Sequence, residues 1–155
     1  MIKKKFILFF CLVLLNNCGF KVVKNNFQNF NIVEIKTSGE SKINYLLKSN
    51  LIRSNKKNNN KDIYLDIKTN KQRNIKEKNI KNEITKYQMV ITSVVSYTSI
   101  DGNTKGNFTV ETQGDYGVDK QYSRTINNEK NLVTILADEI AEEIISNIRI
   151  IINDS

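Results

Sequence analysis

A long alternating segment constrains this chain more than any other part of its sequence. Between residues 83 and 99, every second residue lies on the same face, and most residues of that face are apolar or aromatic. They are Tyr87, Met89, Ile91, Val95 and Tyr97. Such alternation is typical of a β-strand, whose successive side chains point to opposite faces of a sheet. A strong turn signal at 100–103 precedes a second alternating segment at 107–118. The pattern predicts a hairpin, and Val90 and Val94 on its other face predict cover on both sides.

Two amphipathic segments predict helices. Residues 41–53 follow a possible N-cap at Ser41 and place apolar side chains at helical spacing. Asn127 or Asn128 is expected to cap the last helix. That helix carries a broad apolar stripe of Leu132, Val133, Leu136, Ala137, Ile140, Ile144, Ile148 and Ile151. The acidic side chains Asp138, Glu139, Glu142 and Glu143 are expected on its solvated face.

Two shorter segments complete the set of elements. Residues 32–37 have the β-branched content of a strand, and 62–70 alternate clearly. The lysine-rich segment 71–82 is either a long loop or a hairpin arm. The resulting order is β-α-β-β-β-α. We therefore predict an α+β fold over residues 32–153, with two helices packed on one face of a four-stranded mixed sheet.

Composition excludes several classes of function. The chain has 155 residues, no His and two Cys, so the usual Ser-His-Asp and Cys-His catalytic arrangements are absent. Zinc sites that contain His or four Cys are absent too. No GxGxxG or GxxxxGK[ST] motif occurs. We therefore expect no enzyme activity, no cofactor and no metal.

The N-terminus has the pattern of an export signal. Three lysines at 3–5 precede an apolar run at 6–15, which is too short to span a bilayer. The following Leu15-Asn16-Asn17-Cys18 resembles a bacterial lipoprotein box, in which the cysteine is acylated after cleavage. This predicts a signal peptide at 1–17 and a lipidated tether at 18–31. The alternative is an ordinary signal with an incidental cysteine. Gly19 after the cysteine favours sorting to the outer membrane.

Basic residues cluster before the long strand, in a chain whose formal charge is +8. They are Lys71, Arg73, Lys76, Lys78, Lys81 and Lys86. Either they are solvated lysines of an AT-rich coding sequence, or they form a surface that binds phosphates. Arginine is scarce here, with four in the chain, so Arg73 and Arg124 are stronger candidates than any single lysine.

Three features together resemble the LPS-assembly lipoprotein LptE family. They are Cys18-Gly19-Phe20, the strand opening Tyr87-Gln88-Met89, and Tyr122-Ser123-Arg124 before an Asn/Glu-rich helix start. The resemblance extends from residue 18 to about residue 150. It implies two helices on a four-stranded sheet, in agreement with the order derived above.

The resemblance also implies a function. Members of this family are non-enzymatic outer-membrane lipoproteins that plug the β-barrel LptD, assist its assembly and bind lipopolysaccharide. By position, Lys78 or Lys81 and then Arg124 correspond to the family's lipopolysaccharide-binding basic residues. The expected partners are thus an LptD-like barrel, lipopolysaccharide and, through acylated Cys18, the periplasmic side of the outer membrane. The strand ends and hairpin 98–106 are expected to enter the barrel, and no nucleic-acid partner is expected.

A second hypothesis remains open at this point. The chain has the features of any small exported lipoprotein, so a pilotin-like or cell-wall-binding module is the alternative.

Overall fold

The structure, a computed structural model, describes residues 30–54 and 61–153. Its elements follow the predicted order and confirm the α+β fold. They are β1 (Phe30–Gly39), α1 (Ser41–Ser54), β2 (Lys61–Lys78), β3 (Ile84–Ser99), β4 (Lys105–Gly117) and α2 (Tyr122–Asn153). The signal peptide, and the tether up to residue 29, lie outside the described residues. Phe30 and Asn31, assigned to the tether, belong to β1.

The four strands form one mixed sheet in the order β1-β2-β3-β4. β1 pairs with β2 in parallel, from Phe30 opposite Lys61 to Gly39 opposite Thr69. The other two pairs are antiparallel hairpins. The parallel pair requires a crossover, and α1 supplies it.

Both helices cover the same face of the sheet. On β2 and β3 the buried side chains alternate with more exposed ones, so a single face forms the core. α2 buries most of the predicted stripe against that face, and α1 adds Ile43, Leu47 and Leu51. The helix-free face is polar. Val90 and Val94 lie there among polar neighbours, so the predicted cover on the second side is not supplied by the described part of the chain.

β1 stops at Gly39 for a steric reason. Gly39 has a φ of 95°, and a Cβ placed there would lie 2.0 Å from the carbonyl oxygen of Thr69. The chain turns at this point into α1, whose first turn is tied back to the sheet. The backbone N–H of Glu40 donates to the Thr69 hydroxyl at 3.1 Å, and that hydroxyl donates to Asn44 at 2.8 Å.

The segment 71–82 is a hairpin arm and not a loop. β2 continues to Lys78, and its pairing with β3 continues to Lys78 opposite Ile84. Because β1 has already ended, this part of β2 has no strand on its other side. We call residues 72–87 the arm, and the end of the sheet that carries it the arm end. The opposite end, called the Phe30 end, holds the start of β1 and the turn after β3.

The last helix begins earlier than predicted. α2 starts at Tyr122, because the carbonyl of Gln121 accepts the first helical bonds from Arg124 and Thr125. The Thr125 hydroxyl accepts from the N–H of Asp119 at 2.8 Å and so fixes the entry into the helix. The predicted cap Asn128 is inside the helix, and its side chain donates to the carbonyl of Gly117 at 3.1 Å.

Candidate functional site

The four candidate lipopolysaccharide-binding residues all lie at the arm end. Arg73 and Lys78 are on β2, Lys81 is in the turn after it, and Arg124 is in the first turn of α2. The N–H of Val118 donates to the carbonyl of Thr85 at 2.9 Å, which ties the segment before α2 to the arm. The fold thus brings two distant parts of the sequence to one end of the sheet.

Arg73 lies against two tyrosines. Its guanidinium carbon is 4.8 Å from the ring centre of Tyr87, a cation–π distance. The Tyr87 ring is in turn 5.6 Å from the ring of Tyr116 on β4. The Tyr116 hydroxyl, as a hydrogen-bond acceptor, raises the pKa of Arg73, and burial raises the pKa of Tyr116. Arg73 is therefore a permanent cation held in place by aromatic rings.

A neighbouring carboxylate is occupied by a different cation. Lys71 Nζ lies 3.4 Å from Glu129 Oε1, and the Tyr116 hydroxyl lies 3.5 Å from Glu129 Oε2. Lys71 is two residues before Arg73 and therefore lies on the same face of β2. Its charge is paired with that of Glu129. Glu129 also lies close enough to raise the pKa of Arg73, but within residues 30–54 and 61–153 no carboxylate forms an ion pair with Arg73, so its exposed guanidinium can take a phosphate oxygen.

The lysines of the arm differ in how far they are neutralised. Lys86 pairs with Glu77 at 3.1 Å. Lys78 donates to the amide oxygen of Asn82 at 3.0 Å. This partner orients the lysine but carries no negative charge. Lys81 is exposed in the turn. Of these three lysines, Lys78 and Lys81 have no carboxylate partner among the described residues.

Arg124 is exposed and lies 3.7 Å from Asp119. This ion pair is on the surface, where such pairs contribute little energy. An anion of higher charge density can compete for the guanidinium at small cost. The structure therefore places Arg124 beside the arm with a weak competitor and not as a bare cation.

Sequence reasoning missed the aromatic support of Arg73. Tyr87 and Tyr116 were assigned to strands, but nothing in their spacing predicted that both would lie next to Arg73. The register of the two hairpins decides this, since Tyr87 is opposite Ile75 on β2 and Tyr116 on β4. The available signal was one tyrosine near the end of each alternating face, Tyr87 on β3 and Tyr116 on β4.

Two depressions elsewhere in the described structure have small volumes. A groove of about 300 Å³ on the helix-free face is lined by Tyr64, Asp66 and Ser96 among others. A cavity of about 220 Å³ lies between the two helices and is lined by Ile43, Ile126 and Val133 with charged residues at its rim. Both are smaller than or at the lower limit of ordinary ligand pockets. An extended surface is therefore a better candidate for binding than a pocket.

Several expectations concern the remaining polar groups. The acidic residues Asp138, Glu139, Glu142 and Glu143 of α2 are exposed as predicted, and Asp138 accepts a hydrogen bond from the side chain of Asn50 on α1. Within residues 30–54 and 61–153, no group of His, Cys, Asp or Glu is arranged to hold a metal ion. In the same ranges, neither helix combines the length and apolar character needed to cross a bilayer. Cys18 lies outside the described residues.

Comparison with known proteins identifies the fold. No protein-family model matches the sequence, and no curated protein matches it either. Among solved structures, rare lipoprotein B from Shewanella oneidensis matches with a TM-score of 0.56 at 14% identity, over 74% of this chain and 92% of that one. A putative lipoprotein from Caulobacter crescentus matches with a TM-score of 0.55 at 16% identity, over 74% of this chain and 87% of that one. The chain shares the fold of these two lipoproteins.

Proposed function

We propose that this protein is a non-catalytic outer-membrane lipoprotein, anchored through Cys18, that partners an LptD-like β-barrel and binds lipopolysaccharide. The proposal is supported by the lipoprotein box at 15–18, by the resemblance to the LptE family, and by a fold shared with two lipoproteins. The lack of His and of phosphate-loop motifs agrees with a role in binding and not in catalysis.

One observation carries the lipopolysaccharide part of the proposal. Four basic residues chosen from the sequence, Arg73, Lys78, Lys81 and Arg124, lie at a single end of the sheet. Phosphate groups of lipid A are dianionic or nearly so, and charge-assisted hydrogen bonds to them are among the strongest that side chains make. Arg73 presents a fork of donors, whereas the two lysines act as point charges.

The two ends of the domain suggest a division of roles. Phe30, where the chain from the anchor enters the fold, is opposite Lys61 at the start of β2. β2 has 18 residues, which corresponds to a length of about 55 Å. Hairpin 98–106, expected to enter the barrel, lies at the Phe30 end. In our proposal the Phe30 end stays near the anchor and the barrel, and the arm end receives lipopolysaccharide.

Binding of purified lipopolysaccharide tests the site. We expect Lys81→Glu with Arg124→Glu to weaken binding at least about tenfold, because each reversal replaces an attraction by a repulsion. The matched control is Lys48→Glu with Lys105→Glu, which changes the net charge equally at exposed positions away from the arm. If both pairs weaken binding equally, only net charge matters. If neither does, the site assignment is wrong.

Co-purification tests the partner, and mass spectrometry tests the anchor. We expect the tagged lipoprotein to retain a large β-barrel through detergent extraction, with acyl mass on Cys18. A monomer that never retains a barrel would contradict the partner and favour the pilotin-like or cell-wall-binding alternative. A mature N-terminus without acyl mass would contradict the anchor.

A further inference from the structure

The apex of the arm exposes an isoleucine on a rigid turn. Ile80 is fully exposed, and hydrogen bonds of other residues hold the turn. The N–H of Asn79 donates to the carbonyl of Glu83, and the N–H of Asn82 donates to the carbonyl of Asn79, both at 2.9 Å. The side-chain oxygen of Asn79 also accepts from the N–H of Lys81 at 2.9 Å and of Glu83 at 3.0 Å.

An asparagine also occupies the one position of this turn that has a positive φ. Asn82 has a φ of 63°, in the left-handed region that asparagine tolerates better than other non-glycine residues. The backbone is thus fixed by Asn79 and Asn82, and Ile80 contributes no contact to it. Burial of the Ile80 side chain in a partner would remove its apolar surface from water, which is favourable.

Further apolar side chains are exposed at this end. Ile75 on β2, Val118 after β4 and Tyr122 at the start of α2 are all exposed. Ile75 is opposite Tyr87, and the N–H of Val118 donates to the carbonyl of Thr85, so both lie beside the first residues of β3. The arm end therefore carries exposed apolar side chains at its apex and also nearer the sheet.

Cations outnumber carboxylates at the arm end, where residues 72–87 and 118–124 hold the carboxylates of Glu77, Glu83 and Asp119. The cations of these two segments are Arg73, Lys76, Lys78, Lys81, Lys86, Lys120 and Arg124. An exposed isoleucine elsewhere has the opposite surroundings. Ile135 on α2 is 54% exposed, and Asp138 and Glu139 follow it on the neighbouring positions of the next helical turn. The surroundings of Ile135 thus differ in charge from those of the arm end, which makes Ile135 a suitable control position.

We propose that the arm end docks on the surface of an anionic lipid bilayer, with Ile80 inserted among the acyl chains and the basic residues on the lipid phosphates. Interfacial membrane segments combine these two features, an apolar face and a cationic flank. This inference goes beyond the proposed function and does not require that lipopolysaccharide is the ligand. It assigns a second membrane contact, at the end of the domain opposite to Phe30.

A single-tryptophan experiment tests the insertion, because the chain contains no Trp. Ile80→Trp and the control Ile135→Trp are made in the whole mature chain from residue 18, with Cys18→Ser so that no acyl anchor contributes. We expect vesicles that contain phosphatidylglycerol to shift the emission of Trp at position 80 to the blue. Lipids brominated on their acyl chains should quench it. The emission at position 135 should not change, and equal responses at the two positions would overturn the proposal.

Vesicle sedimentation then separates insertion from charge. Ile80→Ser should lower partitioning onto phosphatidylglycerol vesicles about tenfold, since full burial of an isoleucine is lost. Ile135→Ser should leave it unchanged. Lys78→Gln with Lys81→Gln should lower it by a similar factor or more. Circular dichroism checks that each variant is folded.

Each remaining outcome has a defined meaning. Wild-type partitioning of Ile80→Ser would show a purely electrostatic contact and overturn the insertion. Equal partitioning onto pure phosphatidylcholine would overturn the role of the basic residues. Loss of lipopolysaccharide binding in Lys81→Glu with Arg124→Glu, together with wild-type vesicle partitioning of Ile80→Ser, would leave the proposed function standing while this inference fails.

Discussion

Residues 61–69 and residues 70–78 belong to the same strand, β2, but they have opposite environments. In the first half every second side chain is buried, from Ile63 to Thr69. In the second half, all side chains from Gln72 onward are exposed. The change occurs at Thr69, where β1 ends and α1 begins. The comparison indicates that stability resides in the covered half, whereas the binding roles proposed above belong to the arm.

Truncation of one apolar side chain in the covered core and of one on the arm should give the largest contrast. Leu47 on α1 is fully buried over the sheet, whereas Ile75 on the arm is 53% exposed. We expect Leu47→Ala to lower the free energy of unfolding by about 2–5 kcal/mol, and Ile75→Ala by no more than about 0.5 kcal/mol. Urea denaturation monitored by circular dichroism measures both. Equal losses would show that the arm is part of the cooperative core.

The boundary between the halves depends on Gly39. Gly39→Ala would force a Cβ against the Thr69 carbonyl at a positive φ, so we expect a loss of at least about 2 kcal/mol. The control Gly102→Ala also has a positive φ but meets no atom within 4 Å, and about 1 kcal/mol is expected there. Thermal unfolding of the two variants gives the difference. A control as unstable as Gly39→Ala would mean that backbone conformation, and not the close approach to β2, sets the end of β1.

The aromatic support of Arg73 should have a smaller effect on stability. A double-mutant cycle with Arg73→Ala and Tyr87→Leu is expected to give a coupling of about 0.5–1 kcal/mol in unfolding. Lipopolysaccharide affinity should fall in Arg73→Ala and fall less in Arg73→Lys, which keeps the charge and loses the fork. A coupling of zero together with unchanged affinity would remove Arg73 from the binding surface.

The smallest effect is expected inside the covered half. The Ser93 hydroxyl is fully buried and has no hydrogen-bond partner among the residues that the structure describes. Its removal in Ser93→Ala should leave stability unchanged or raise it by up to about 1 kcal/mol, because no bond is lost and a desolvated group disappears. Chemical denaturation measures this change. A clear loss of stability would mean that Ser93 makes a contact to water or to Thr69, which is opposite it on β2.

Periodicity predicted the buried residues well and the limits of the elements less well. The apolar stripe of α2 was found because helical spacing is visible without any partner. The first turn of α2 was missed because Tyr122, Ser123 and Arg124 have no apolar pattern. The arm remained ambiguous between loop and strand, since a strand that is exposed on both faces lacks the alternation by which strands are recognised.

The candidate site was only partly visible in the sequence. Its basic residues were identifiable by type and position, because charge is a property of each residue alone. Their shared location was not, since Arg73 and Arg124 are about fifty positions apart. The ion pair of Lys71 with Glu129 distinguishes Lys71 from Arg73, which has no ion pair among the described residues, and it depends on how α2 lies over β2.

The sequence by itself determined the order of strands and helices, the core faces and the predicted export signal, because each of these follows from local spacing and composition. The tertiary structure alone decided where β1 ends, how far the arm extends beyond the helices, and which cations form ion pairs with carboxylates. These depend on contacts between residues far apart in the chain, such as Gly39 with Thr69 and Arg73 with Tyr87. Such contacts leave no periodic pattern, so folding is needed to create them.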